Sequence, residues 1–216
     1  MQEYLCRTDF IDSDHPEVVR FAVSKTLPGA TAREKAVALY LAVRDGWRYD
    51  PFTIDLHPES LTASHLLTRE HGYCVEKAVL LAALGRAVNI PTRLGFAHVT
   101  NHLGTSKLEE LLRTDRLVFH GYTELYIENK WVKATPAFNR ELCEHLKVPP
   151  LEFDGIEDSI FQAESADGTR FMEYLHDYGV FNDLPYDFYI SELERHYPHI
   201  FTQKEYHQDG FNFSRP

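Results

Sequence analysis

The sequence predicts a compact α+β domain, and three observations carry that reading. From Val75, the residues Ala78, Leu81, Ala82 and Gly85 recur at the i, i+3, i+4, i+7 spacing of a helix with one buried stripe. The run from Leu117 to Tyr126 is rich in β-branched and aromatic residues and reads as a strand. A short polar turn, Glu128-Asn129-Lys130, joins it to Trp131-Val132-Lys133-Ala134-Thr135, which completes a hairpin. A chain of 216 residues has room for one such domain with a sizeable core, or for that domain and an appended layer.

In chain order, Asp14-His15-Pro16-Glu17 opens a helix with a capping residue and a proline, and Val18, Phe21 and Ala22 carry it to about Lys25. Thr31 caps a second helix, through roughly Asp45, which Trp47-Arg48-Tyr49-Asp50-Pro51 breaks. Ser60 to Thr68 reads as a short helix leading to a glycine-tipped loop. Pro91 closes the helix that begins at Cys74, and Thr92 to Val99 is a strand. Leu103 to Thr114 is a surface insertion with a short helix, from its mixed charges and its Leu108, Leu111, Leu112 spacing. After the hairpin, Asn139 to Leu146 is a helix and Val148-Pro149-Pro150 a linker, which divides the chain into a core, 1–147, and a C-terminal layer, 148–216. That layer is expected to hold helices near Arg170 to Tyr178 and Tyr186 to Tyr197, the second interrupted by Pro198.

The formal charge of -11 lies in the last third: residues 1 to 140 hold 17 acidic and 17 basic side chains, residues 141 to 216 hold 16 and 5. The clustered Lys and Arg of a nucleic-acid footprint are missing, so no nucleic-acid partner is expected. The same last third holds 14 of the 28 aromatics, too much apolar surface for a solvated tail, and is read as a packed layer. Its acidity reads as a solvated face, or as a rim that steers cationic substrates. No apolar run is long enough to span a membrane, and Met1 to Arg7 has neither a basic start nor an apolar centre, so a cytoplasmic protein with no membrane partner is expected. Cys6, Cys74 and Cys143, odd in number and far apart, fit reduced thiols better than a disulfide framework.

Cys74 falls in the first turn of its helix, where unpaired N–H groups carry partial positive charge and favour thiolate. The competing reading is a small hydrophobe on the buried stripe. His120, Tyr122 and Glu124 share one face of the downstream strand. A helix-start cysteine and a strand histidine fit a nucleophile and its general base. His71 lies three residues before Cys74, and His98 and His102 are four apart, but Cys-x-x-Cys and His-Glu-x-x-His spacings are lacking. No metal or other cofactor is expected, and His71 reads as a loop residue near the cleft mouth.

At these residues the chain resembles the transglutaminase-like superfamily, whose core shares the papain-type arrangement of cysteine, histidine and a third polar residue. Gly72-Tyr73-Cys74-Val75-Glu76-Lys77-Ala78 is similar to its cysteine motif, and Ala87-Val88-Asn89-Ile90-Pro91-Thr92-Arg93 to its helix exit and following strand. His120-Gly121-Tyr122-Thr123-Glu124 resembles its histidine strand, and Trp131 stands where the family places a tryptophan. The resemblance covers Leu61 to Asn139 and implies a cysteine helix packed against an antiparallel sheet that contains the His120 strand. The family's aspartate position, four residues after that tryptophan, is Thr135 here.

The resemblance implies acyl transfer by a thiolate. Cys74 attacks an amide or ester carbonyl, His120 takes and returns the proton, and the thioester passes to water or an amine. Backbone N–H groups at the helix start are the natural oxyanion donors. The substrate is then a peptide, protein or small amide, and Tyr73, Tyr122 and Trp131 are candidate cleft-lining residues. A binding or scaffold module without chemistry is the alternative, favoured by Thr135. What orients His120 depends on hairpin register. A turn centred between Ile127 and Glu128, as the resemblance implies, sets Thr135 opposite His120, whereas a two-residue Asn129-Lys130 turn sets Asn139 there.

Overall fold

A computed structural model describes residues 1–102, 106–161 and 172–201. Its centre is helix α4, Cys74–Ala87, of which every residue but the last is buried. Helices α1 (Pro16–Lys25), α2 (Ala32–Gly46) and α3 (Ala63–Leu66) pack around it on one side, strands β3 (Thr92–Asn101) and β4 (Arg116–Ile127) on the other. The single stripe read from Val75 to Gly85 is thus one face of a helix that has no solvent face. Leu80, Leu81 and Leu84 have no exposed surface, and burial of side chains of this size contributes about 1.5–3 kcal/mol each.

The main sheet is antiparallel with strand order β5-β4-β3-β6, where β5 is Lys130–Ala134 and β6 is Met172–Phe181. Thr123 and Gly121 mark the face of β4 that meets α4. The Thr123 hydroxyl donates to the Ala78 carbonyl at 2.8 Å, and a Cβ at Gly121 would stand 3.1 Å from Val75 Cα. Alternation therefore sends His120, Tyr122 and Glu124 to the far face, and His120, next to Gly121 against the first turn of α4, also borders a cavity at Cys74. Between Ala97 and Val99 the β3–β4 register shifts at a bulge, with Phe119 at φ 62°. Two short strands, β1 (Arg48–Tyr49) and β2 (His71–Gly72), pair in parallel and bring the chain before α4 against the segment after α2.

The remaining elements are α5 (Ser106–Leu112), α6 (Arg140–Leu146), α7 (Tyr186–His196) and α8 (Pro198–Phe201), with 3-10 turns at Gln2–Leu5 and Pro58–Leu61. This is the expected α+β class, a helix-start cysteine packed on an antiparallel sheet. The capping signals hold. Pro16 opens α1 behind His15, and Thr31 and Glu34 form a capping box on α2. The segment from Ser60 to Thr68 divides into a 3-10 turn and α3, because the Thr62 hydroxyl accepts from His65 N–H and restarts the helix there. Pro198 separates α7 from α8 as expected.

Two readings are corrected. Residues 172–178, expected within a helix, belong to β6, and the rest of that expected helix lies outside the described residues. Met172, Leu175 and Tyr178 are three apart, as in a helix, but pairing with the open edge of β3 wins. Neither hairpin register considered is observed. Ile127 pairs with Lys130 around a two-residue Glu128-Asn129 turn whose φ values, 49° and 67°, are both left-handed. Such a primed turn suits the twist of a hairpin, but Glu128 is not a residue that announces it.

Candidate active site

Cys74 is the first residue of α4. The loop before it is fixed by Glu76, whose carboxylate accepts from Tyr73 N–H at 3.0 Å and pairs with Arg69 at 2.5 Å. Cys74 as a residue is 8% exposed. Burial raises its pKa to about 11, against the pull of the backbone N–H groups of Gly121, Val75 and Cys74 itself. The helix start thus acts in the expected direction, but removal from water outweighs it. His120, 1% exposed, is pushed down to about 4 by burial. Among the described residues neither of its ring nitrogens has a hydrogen-bond partner. The two groups therefore rest as a neutral thiol and a neutral imidazole, with no hydrogen bond between them.

Both nevertheless line one cavity of about 80 Å³. Its walls are aliphatic and aromatic, with Tyr49, Ile54 and Tyr73 on one side and Leu108, Leu112, Tyr189, Leu193 and Ile200 from α5, α7 and α8 on another. A pocket for a whole small-molecule ligand runs to about 300 Å³ or more, so this one suits a single apolar group. Burial pushes up the phenol pKa values of Tyr49, Tyr73, Tyr189 and Tyr197 around it. The thiol is thus surrounded by phenols that stay protonated. Tyr73 and Tyr189 share a hydroxyl–hydroxyl hydrogen bond of 2.7 Å, and Tyr197 accepts from Val118 N–H at 2.8 Å.

Neither candidate orienter bonds to His120. The observed register pairs Thr123 with Ala134, and continued along the strands it sets Thr135 opposite Tyr122, two residues along the strand from His120. Asn139 spends its side-chain carbonyl on Tyr49 N–H at 3.0 Å, just before α6. The far face of β4 instead gathers buried polar atoms that lack hydrogen-bond partners among the described residues: both His120 nitrogens and the hydroxyls of Tyr122, Thr135 and Tyr174. Tyr174 reaches this group from β6, with its ring 6.5 Å from that of His120.

An aspartate at position 135 would supply this group with the charge it lacks. In a Thr135→Asp variant the His120 pKa is expected to rise by about one to three units, as a carboxylate nearby favours imidazolium. NMR titration of the His120 ring proton measures it, and an unchanged titration would show that position 135 does not reach the ring.

Of the candidate cleft residues, Tyr73 lines the cavity, whereas Tyr122 and Trp131 do not. The Tyr122 ring lies across Gly95. Trp131 packs against Tyr4 and Tyr126, with the Arg93 guanidinium 4.2 Å from its ring centre. His71 is paired with Arg48 in β2 and is likewise not on the cavity wall. Sequence reasoning missed Tyr189 and Tyr197, for which the surplus of aromatics beyond residue 140 was the available signal. It also missed Gly121 N–H, which no pattern marks as a thiol partner.

A sequence profile of the transglutaminase-like superfamily matches residues 20–136, which include Cys74, His120 and Thr135. No curated protein matches the chain. Among solved structures, a cysteine protease candidate from Cytophaga hutchinsonii is similar at 16% identity and a TM-score of 0.46, over 82% of this chain and 53% of its own. A protease candidate from Parabacteroides distasonis is similar at 15% identity and a TM-score of 0.40, over 59% of this chain and 26% of its own. The chain thus spans about half the length of the first and a quarter of the second.

Proposed function

We propose, from the premise that the chain belongs to the transglutaminase-like superfamily, that it performs cysteine-dependent acyl transfer on an amide or ester. Cys74 is the nucleophile and His120 the base. The observation that carries the reading is a thiol at the start of a buried helix, with the N–H groups of Gly121, Val75 and Cys74 bearing on it and His120 on the wall of the same cavity. The Cys74 S–H proton passes to the free His120 nitrogen as sulfur bonds to the carbonyl carbon. The carbonyl oxygen takes up the electron pair, and the backbone N–H groups are the donors available to it. Collapse of this adduct expels the amine or alcohol with the proton from His120 and leaves a thioester on Cys74. Water or an amine then releases the acyl group.

Because both groups rest neutral, proton transfer accompanies the attack. The apolar cavity favours an acyl group with one compact hydrophobic side chain, contributed by a peptide, protein or small amide. A binding module without chemistry is the second reading, favoured by the missing thiol–imidazole hydrogen bond and by Thr135 at the aspartate position. Incubation with a p-nitrophenyl ester of a small branched acid, followed by intact-mass and peptide mapping, separates the two. The expected product is one acyl group on Cys74, lost in Cys74→Ser. Absence of that adduct, with acylation confined to exposed Cys6 and lysines, would leave the binding module.

A further inference from the structure

A second polar cluster lies beside the Cys74 cavity, where Glu192 and His196 flank the stripe of Tyr189 and Leu193 on α7. His98 of β3 meets Glu192 and His196 of α7, and one ligand atom from each lies within 4.8 Å of the others. His98 Nε2 is 3.8 Å and His196 Nε2 3.6 Å from the same carboxylate oxygen, Glu192 Oε2. Ligands that share a tetrahedral zinc ion at bond lengths of about 2.0–2.1 Å stand roughly 3.3 Å apart, so the two edges to Glu192 need a contraction of a few tenths of an ångström, and the two histidine nitrogens, within 4.8 Å of each other, would be drawn together by the ion. Glu192 and His196 are one helical turn apart on α7 and project from one side.

The surroundings meet the further requirements of a metal site. Arg195 holds the outer carboxylate oxygen, Oε1, at 3.4 Å, and leaves Oε2 turned to the histidines. The Tyr178 hydroxyl contacts both His98 Nε2 and Glu192 Oε2, which places a further oxygen beside two of the three ligand atoms. An open cleft of about 680 Å³, walled in part by Leu175, Phe188 and Arg116, gives entry. The geometry points to a site for a divalent transition metal of the zinc class, held by His98, Glu192 and His196 with the Tyr178 oxygen or a water at the fourth position. Imidazole nitrogens with one carboxylate suit zinc better than calcium or magnesium, which take all-oxygen sets. Such an ion ties α7, which roofs the Cys74 cavity, to the β3–β6 half of the sheet.

The test uses the full chain, stripped with chelator and titrated with zinc chloride against a competing indicator, and with cobalt chloride for its visible spectrum. One equivalent of tight binding is expected. His98→Ala and His196→Gln are each expected to weaken it about 100-fold or more, ligand losses exceeding the 10- to 100-fold seen for outer-shell changes. His196 is partly exposed, so its variant keeps the fold. His71→Gln and Cys74→Ser are expected to bind as the parent does. Failure of the parent to bind an equivalent, unchanged affinity in both ligand variants, or a thiolate-to-cobalt absorption lost in Cys74→Ser, overturns the site.

Discussion

Replacing Lys77 by methionine is expected to destabilise the protein by about 3 kcal/mol or more, the largest loss from any single substitution considered. The Lys77 ammonium is fully buried and donates to three carbonyls, of Arg44 at 2.9 Å and of Trp47 and Ala137 at 2.8 Å. Each is left without this donor in the variant, at about 1–3 kcal/mol apiece, partly offset because an apolar chain need not be stripped of a charge's hydration. For a chain of this size that lowers the melting temperature by roughly 6–12 °C. The effect depends on pH. Burial lowers the Lys77 pKa from 10.5 to about 7 in the folded state, so between these values the unfolded chain binds more protons and stability rises with pH. The gap between parent and variant is therefore expected to widen from pH 7 towards pH 10 in denaturant titrations. A constant gap would place the folded-state pKa outside that window.

The second large effect concerns His120. If it is the base, His120→Gln should slow acylation of Cys74 by about 10²–10⁴-fold, the usual contribution of a positioned base. Alkylation by iodoacetamide near pH 11 supplies the control. There hydroxide does the ionising, since the thiol pKa is about 11, and the variant should react as the parent does. Equal loss in both assays would mean that the substitution closes the cavity; no loss in either would remove His120 from the chemistry.

Much of the frame is legible in the sequence because local rules agree with the tertiary result. His15 with Pro16, Thr31 with Glu34 and the alternation through His120 each act within a few residues. The acid–base state of the site is not legible in this way. The field of the helix start belongs to residues 73–76, but part of the apolar cover that overrides it comes from Tyr189, Tyr197 and Ile200, more than a hundred residues later. Lys77 and Arg86 mislead for a related reason. Charged residues in a helix normally mark its wet side, yet Arg86 is buried, donating to the carbonyls of Cys6, Thr92 and Asn182. The hairpin register turned on one unusual residue, Glu128, in a left-handed conformation.

The strand order also has a consequence for synthesis. Strand β3 is flanked by β4, which follows closely, and by β6, which begins about 80 residues after β3 does. At about 5–20 residues per second, one edge of β3 stays uncovered for roughly 4–16 s while the intervening chain is made. Phe96 and Val99 lie in that strand, and an uncovered apolar edge invites pairing with other chains. A nascent chain halted before Met172 therefore carries an aggregation hazard that the complete sheet removes.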